Sequence, residues 1–378
     1  MTDRAISKEQ KMILGDFILN SGQLTQGEQV ENFERKWSKW QGCKYSVFVN
    51  SGSSANLMLV RALLSLQEKE ESSWVAQACT WSTTISPIIQ NNGKLHLCDI
   101  DSNNFSPDLE ELKYIFRQQK VDFLFLTHLL GFNAISNELL DLCLTYDVTL
   151  LEDCCEAHGA TFERTKVGNF GVGSTFSFFY GHHMTTIEGG MVCTDNEDLW
   201  HELLLLRSHG LLRELPAASR NSHRVKGVSP DFCFLRDGYN LRNTEINAKL
   251  GVLQLEHLDG AIQHRNKIFR QFLKSLDPKL YKTDFDIEGC SNFALPIFVE
   301  YSSLLDKVKK LLRDLGIEYR PCIAGNLNRH PLTRNLSKMY NDIEAQRVHE
   351  NCVYIGNHKD VTWEDVLDLA TNLNALLV

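Results

Sequence analysis

Residues Ser174 to Gly190 read Ser-Thr-Phe-Ser-Phe-Phe-Tyr-Gly-His-His-Met-Thr-Thr-Ile-Glu-Gly-Gly. An apolar strand over Thr175–Phe179 runs into a turn bearing two histidines, and after Glu188-Gly-Gly comes a second strand, Met191-Val-Cys-Thr. An imidazole titrates near pH ~6.5, so a histidine in this turn can take up and return a proton near neutrality. Successive residues of an extended segment point to opposite faces, so His182 and His183 should not share one role or pair as metal ligands. No lysine lies between Lys166 and Lys226, so no amine neighbours this turn in the chain.

Three further stretches carry candidate chemistry. Asn50-Ser-Gly-Ser-Ser-Ala-Asn56 follows the β-rich run Tyr45–Val49 and opens a helix through Leu64. Free N–H groups and small hydroxyls at Gly52, Ser53 and Ser54 suit a phosphate, although serine is also a routine helix cap. Leu151-Glu-Asp-Cys-Cys-Glu-Ala-His-Gly-Ala160 places Asp153 just after a strand, as a ligand-binding carboxylate or as a cap. Leu211 to Arg236 is irregular and carries Arg213, Arg220, Arg224, Lys226 and Arg236. It reads either as a solvated basic surface or as a holder of a nucleotide diphosphate, which arginine contacts bidentately.

The elements that must position these residues follow from periodicity. Val30, Phe33, Trp37 and Trp40 mark a helix over Gln29–Gln41. Strands over Trp74–Gln77, Lys94–Cys98, Asp122–Thr127 and Val148–Glu152 alternate with helices near Ser82–Gln90, Pro107–Gln118 and Asn137–Thr145. Such alternation predicts an α/β fold with a mainly parallel sheet. Ligands gather at the carboxyl ends of strands in such sheets, where Ser53, Trp81, Asp153 and the histidine turn fall. A helix over Asp195–Leu206 precedes Arg207-Ser-His-Gly210.

From Ala261 the texture changes: strand Phe293–Val299, helix Leu304–Leu315, strand Gly316–Arg320, then helices near Ser337–Glu350 and Trp363–Leu377. A large α/β domain over 1–260 and a small α+β domain over 261–378 are expected. Arg320-Pro-Cys-Ile-Ala-Gly-Asn326 and Gly356-Asn-His358 are polar, loop-like pieces suited to face a substrate. There are no internal repeats.

The chain has 378 residues, of which 43% are hydrophobic and 23% charged, as in an ordinary globular protein. A formal charge of −9 argues against a general binder of nucleic acid or anionic membrane. The first residues lack the apolar core of a signal peptide, and no apolar run approaches the ~20 residues of a membrane span. The eleven cysteines then read as reduced, mostly buried thiols, and the cytoplasm is the expected compartment.

In this order the motifs resemble those of the DegT/StrS group of sugar aminotransferases, which are fold-type I (aspartate aminotransferase-like) enzymes dependent on pyridoxal phosphate (PLP). The pattern there is Ser-Phe, three residues, Lys, five residues, an acidic residue and Gly-Gly. Here it runs from Ser177-Phe178 to Glu188-Gly-Gly190, and His182 stands where the cofactor lysine belongs. A lysine amine bonds covalently to PLP and imidazole cannot, so the cofactor should be held noncovalently.

By the same resemblance, Asp153 binds the pyridine nitrogen and keeps it protonated, while Gly52, Ser53, Ser54 and Ser177 form the phosphate pocket. Glu156 stands near the phenolic oxygen, where relatives more often carry glutamine. Trp81 either stacks on the ring or belongs to the core. Asp237-Gly-Tyr-Asn-Leu-Arg242 resembles the segment whose asparagine, here Asn240, reaches the phosphate of a neighbouring subunit. A homodimer with active sites at its interface is therefore implied, with His209 delivered the same way. Arg213, Arg242, Arg320 and Asn326 are the candidates for substrate binding.

Within the group, a histidine at the lysine position marks the sugar 3-dehydratases. One kind carries a [2Fe–2S] cluster, which needs four thiolates. This chain has no Cys-X-Cys or Cys-X-X-Cys, only the adjacent Cys154-Cys155, so neither a cluster nor any other metal is expected. The cluster-free kind implies PLP and its amine form, pyridoxamine phosphate (PMP), with L-glutamate as amino donor. Its substrate is a nucleotide-linked 4-keto-6-deoxy sugar, GDP-4-keto-6-deoxy-D-mannose foremost. That sugar loses its C3 hydroxyl to give GDP-4-keto-3,6-dideoxy-D-mannose, and ammonia is released. His182 would act as base and then acid, with Glu156 and His209 also catalytic. The alternatives are a 3-dehydratase for another nucleotide sugar, a non-catalytic PLP-binding regulator, and an ordinary aminotransferase, against which the missing lysine argues.

Overall fold

The computed structural model describes residues 5–68, 71–336 and 341–376. Its contacts divide into two compact units, Met1–Glu71 with Gly168–Leu258, and Ser72–Val167 with Asp259–Val378.

In the first unit three strands form an antiparallel ladder, with Gly190–Thr194 between Tyr45–Val49 and Gly173–Ser177. Their inner side is closed by the apolar face of the helix Glu28–Gln41. Phe33 lies 5.0 Å from Phe48 and 5.3 Å from Phe178, and Trp37 lies 5.1 Å from Phe176 and 4.8 Å from Phe178, ring to ring. All four are edge-on or tilted, the geometry that aromatic quadrupoles favour. Gly27, the N-cap of this helix, has no side chain to cap it. The buried Glu245 carboxylate substitutes, accepting N–H bonds from Gly27, Gln29 and Val30 at 2.8–2.9 Å.

In the second unit four parallel strands run in the order Thr149–Asp153, Phe123–Thr127, Ser73–Gln77, Lys94–Cys98. Nearly every residue in them is buried, as expected where helices cover both faces of a parallel sheet. The helices Ser82–Gln90, Leu109–Gln118 and Asn137–Thr145 alternate with them. Later in the chain a small antiparallel sheet places Cys352–Gly356 between Ala294–Phe298 and Tyr319–Pro321, accompanied by helices Ser302–Asp314, Ile343–Asn351 and Trp363–Asn374.

Several boundaries differ from the periodicity. The strand expected over Thr175–Phe179 occupies Gly173–Ser177, because the ladder ends where Ser177 meets Gly190. The strand expected from Gly316 starts at Tyr319. Gly316, at φ 69°, terminates the preceding helix, where Ile317 N–H returns to the Leu312 carbonyl. The helix Lys8–Asn20 and the central strand Cys352–Gly356 carry no strong period and were not expected. Of the helix expected over Ser337–Glu350, residues 337–340 lie outside the described residues, as does Leu377 at the end of the last helix. Among the described residues no helix is long and apolar enough to cross a membrane.

Candidate active site

Tyr45–Val49 and Gly173–Ser177 both end against Gly190, which pairs with Val49 on one side and Ser177 on the other. A Cβ on Gly190 would lie 2.2 Å from the Ser51 carbonyl oxygen and 2.7 Å from the Gly52 nitrogen. Glycine there allows the N-terminus of the helix Gly52–Leu66 to approach the strand closely. The Ser51 hydroxyl accepts from the Ser54 N–H at 3.0 Å, and the first turn carries no acidic residue. The first N–H groups of a helix have no intrahelical acceptor, so Gly52 and Ser53 present donors and a positive dipole end. Gly52 is buried, Ser53 exposed and Ser54 half-buried, while Ser177 ends its strand nearly buried. This unit thus brings together the four residues expected to hold a phosphate.

The histidine turn follows Ser177. His182 N–H donates to the Phe179 carbonyl at 3.0 Å, and Thr186 N–H to the Phe178 carbonyl at 3.0 Å, so residues 178–186 form a closed loop. His182 is half-buried and His183 buried. Two asparagines absent from the sequence-level expectations brace this loop. Asn243 donates from its amide to the carbonyls of Val49 at 3.0 Å and Glu188 at 3.1 Å. Asn247 donates to the carbonyls of Thr186 at 2.6 Å and Glu188 at 3.0 Å. Their i, i+4 spacing around the cap Thr244 was the visible signal.

Residues 237–242 cross the end of the helix Glu197–Arg207. Ser208 bridges Asn240, Val49 bridges Arg242, and His209 N–H donates to the Tyr239 carbonyl at 2.7 Å. His209 adopts φ 60°, the left-handed region that a β-carbon disfavours, and it is followed by Gly210 at φ 73°. Asn240 is exposed and accepts from Arg242 Nε at 3.1 Å. Arg213 is turned onto its own segment. It lies 5.4 Å from the Phe232 ring centre, donates to the Asp231 carbonyl at 3.2 Å and lies 3.7 Å from Glu214.

In the second unit, Asp153 ends the strand Thr149–Asp153 as a nearly buried carboxylate. Oδ2 accepts from Thr84 Oγ1 at 2.8 Å, and Oδ1 from Cys155 N–H at 3.1 Å. A hydrogen-bonded chain lies behind it. Thr80 donates to Thr84 at 3.0 Å and lies 2.7 Å from the Thr127 hydroxyl, and Gln77 exchanges two 2.7 Å bonds with the Thr127 backbone. Trp81, the residue before the helix Ser82–Gln90, is 52% exposed, so its indole is not a core side chain.

Glu156 accepts from Leu130 N–H at 2.8 Å. Burial, reinforced by the charge of Asp153, pushes its carboxyl up to about 8, so near neutrality it is chiefly protonated and able to donate. Tyr354 stands directly across from Arg320 in the small sheet, and burial and the charge of Glu156 both raise its phenol well above the ordinary range. Tyr354 is a site candidate that sequence reasoning missed, because it lies in the unexpected strand. Arg320 pairs with Glu318 at 2.9 Å and is half-exposed. Asn326 is fully buried: its amide donates to Asp342 at 3.1 Å, and its carbonyl accepts from Asn328 N–H at 3.0 Å.

His128, Glu152 and Cys154 form a buried group of metal-ligating types whose donor atoms lie within 4.8 Å of one another. His128 Nδ1 accepts from Ala134 N–H at 3.1 Å, which leaves the proton on Nε2 for the Glu152 carboxylate 3.1 Å away. With both ring nitrogens engaged, the imidazole has no lone pair for a metal. The His128–Glu152 pair is a hydrogen-bonded brace from the end of the strand Phe123–Thr127 to the neighbouring strand Thr149–Asp153.

The profile described as the DegT/DnrJ/EryC1/StrS aminotransferase family matches residues 6–374. GDP-4-keto-6-deoxy-D-mannose 3-dehydratase of Escherichia coli O55:H7 is 33% identical over 364 residues, covering 92% of each chain. A crystal structure of GDP-4-keto-6-deoxymannose-3-dehydratase (ColD), as a His-to-Asn variant with bound GDP-perosamine, superimposes with a TM-score of 0.90 at 30% identity, covering 97% of this chain and 98% of that one. A second crystal structure of that dehydratase, with a trapped PLP-glutamate geminal diamine, gives 0.89 at 31% identity, again over 97% and 98%. The α/β architecture, a mostly parallel sheet accompanied by a small antiparallel one, is thus that of fold-type I.

Proposed function

This chain belongs to the DegT/DnrJ/EryC1/StrS aminotransferase family, whose members use PLP, and on that footing we propose that it is a glutamate-using sugar 3-dehydratase. The substrate is a nucleotide-linked 4-keto-6-deoxy sugar, foremost GDP-4-keto-6-deoxy-D-mannose, which becomes GDP-4-keto-3,6-dideoxy-D-mannose with release of ammonia. The observation that carries this reading is His182 at the position of the cofactor lysine, in a chain alike over nine-tenths of its length to named 3-dehydratases.

Each unit, taken by itself, offers donors of the kind that a noncovalently held PLP would need. The open helix end at Gly52 and Ser53, with Ser54 and Ser177, suits its phosphate. Asp153, oriented by Thr84, suits the ring nitrogen, and the exposed indole of Trp81 suits the ring face. Bound PLP, converted to PMP by L-glutamate, supplies the electron sink that lets a C3–O bond beside a 4-keto group break.

The chain's own residues do the rest. The His182 imidazole would accept the proton given up by the cofactor's C4′ carbon and return it to the C3 hydroxyl, which would leave as water. Glu156, protonated near neutrality, donates a hydrogen bond toward the phenolic oxygen. No lysine stands at position 182 to recapture the cofactor, so the nitrogen would leave as ammonia and the sugar would end with its 4-keto group. Arg242 and Arg320 bind the substrate's phosphates or sugar. Arg213 joins them on release from its own segment, and Asn326 acts from within by shaping the loop after Arg320.

The reading includes a homodimer in which each subunit completes the other's site through Asn240, which is exposed, and His209. The reading also keeps the large domain at 1–260, the small one at 261–378, and a cytoplasmic enzyme without an iron–sulfur cluster.

The experiment is mass spectrometry of enzyme, PLP, L-glutamate and GDP-4-keto-6-deoxy-D-mannose together. Loss of the C3 oxygen with 2-oxoglutarate and ammonia formed is expected. Nitrogen retained on the sugar makes the enzyme an aminotransferase instead.

A further inference from the structure

The first unit contains a thiol arrangement that the proposed reaction does not use. Of the eleven cysteines, nine are buried, and only Cys43 and Cys155 are partly accessible. Cys43 lies between the helix Glu28–Gln41 and the strand Tyr45–Val49. It lines a cavity of about 270 Å³ together with Asn169, Val172, Thr194 and Asp195, all of the same unit. Ser46 Oγ lies 3.5 Å from Cys43 Sγ and 3.4 Å from the Sγ of buried Cys193, and Ser38 lies 2.6 Å behind Ser46. The Ser46 hydroxyl thus stands between the two sulfurs, and Cys193 is paired directly with Ser46 in the strand ladder.

We propose that Cys43 and Cys193 form a redox-responsive thiol pair, in which a small peroxide oxidises Cys43 from the cavity and Cys193 then closes a disulfide onto it. In the first step the Cys43 thiolate attacks the O–O bond of hydrogen peroxide, forming a sulfenic acid and expelling hydroxide, which is protonated to water. In the second, the Cys193 sulfur attacks the sulfenic sulfur, and its proton leaves with the departing hydroxide as a second water. The two thiols lose two electrons and the peroxide gains them.

The local chemistry assigns the roles. Hydrogen bonds from Cys193, Ser46 and Ser38 stabilise the thiolate and hold the Cys43 thiol down at about 7, against burial and the nearby Asp195 carboxylate, which raise it. Cys193, in the middle strand of the ladder, is raised well above the ordinary range by burial and by the Cys43 charge, so it remains the donor. Cys155 is the internal control. It too is partly accessible, but burial and the Asp153 charge raise its thiol well above the ordinary range.

The full-length reduced protein is treated with one equivalent of hydrogen peroxide at pH 7.5, alkylated, and digested with trypsin. The expected product is a reducible cross-link between the peptides Trp40–Lys44 and Val167–Arg207, which hold Cys43 and Cys193. Iodoacetamide labelling of the untreated protein should favour Cys43 over Cys155 at least tenfold, with a rate midpoint near pH 7. In Cys193→Ser, dimedone should capture a sulfenic acid at Cys43. Absence of the cross-link, equal labelling of Cys155, or a Cys43 midpoint near the ordinary ~8.5 overturns the proposal. The labelling profile uses the native protein, so it decides the matter even where the serine variant fails to fold.

Discussion

The Thr84 hydroxyl donates to Asp153 Oδ2 at 2.8 Å, so the first helix turn after Trp81 sets the direction of a buried carboxylate at the end of a parallel strand. Thr84→Val keeps the shape and removes the donor. A hydrogen bond to a charged group is worth about 1.5–3 kcal/mol, so affinity for PLP should fall roughly 10- to 100-fold. An absorbance titration of the apoprotein measures this, and an unchanged Kd would show that Thr84 does not orient Asp153.

His182→Asn removes the titrating group and keeps a polar side chain of similar reach. The proposed proton role predicts a fall in kcat of about 10²–10⁴ with PLP affinity within a few fold of wild type. Near-normal sugar turnover in this variant is the result that sinks the assignment.

Asn243 ties the carbonyls of Val49 and Glu188 together from a buried position. Asn243→Ala leaves both without that donor and should cost about 1–3 kcal/mol of stability. The loosened histidine turn should lower kcat more than it raises KM. Hydrogen exchange over residues 178–190 should quicken, and protection equal to wild type would contradict the bracing role.

Glu156 carries a sign that can be tested. Its carboxyl is raised from 4.5 to about 8 in the folded protein, so between these values the folded state holds a proton that the unfolded state has lost. Its contribution therefore makes stability fall as pH rises through this window, by up to about 1.4 kcal/mol per pH unit. Glu156→Gln should flatten the urea-unfolding stability of the apoprotein between pH 5 and 7.5 by about that slope. A variant whose pH dependence parallels wild type would mean that the carboxyl is ionised throughout.

Gly190→Ala places a Cβ 2.2 Å from the Ser51 carbonyl, a backbone clash that no rotamer relieves. Overpacking of this kind costs about 1–3 kcal/mol or more, and it should also disturb the phosphate seat. Gly260→Ala, with nothing within 4 Å and inside the helix Leu258–Ser275, should instead stabilise by up to about 1 kcal/mol. Thermal unfolding of the pair separates a steric glycine from a tolerated one, and equal midpoints would refute the close approach.

Where the candidate residues fall on the fold was legible in linear order. Gly52 to Ser54 at a helix start, Asp153 at a strand end, and His182 in its turn all lie where strand and helix alternation put them, because local hydrogen bonding and side-chain period set those elements. Trp81 was left open between core and ligand, since an aromatic's burial depends on what packs over it. The bracing pair Asn243 and Asn247, the Thr84 donor and the Tyr354 phenol were invisible as functions. Each acts on a group far away in sequence, and the amide or hydroxyl type alone does not name its acceptor. The strand Cys352–Gly356 was missed because it follows directly on the helix Ile343–Asn351 without turn residues between them.

What the sequence by itself determined is the family resemblance and the missing amine: His182 stands where the family pattern has its lysine, and an imidazole cannot form the bond that a lysine amine forms. Only tertiary structure decided the protonation and orientation of the groups around that position. The proton on Glu156 depends on its desolvation, the aim of Asp153 on Thr84, and the contrast between Cys43 and Cys155 on hydrogen-bond donors contributed by other segments. Burial and neighbouring charge are properties of packed surroundings, and a linear chain does not contain them until it folds.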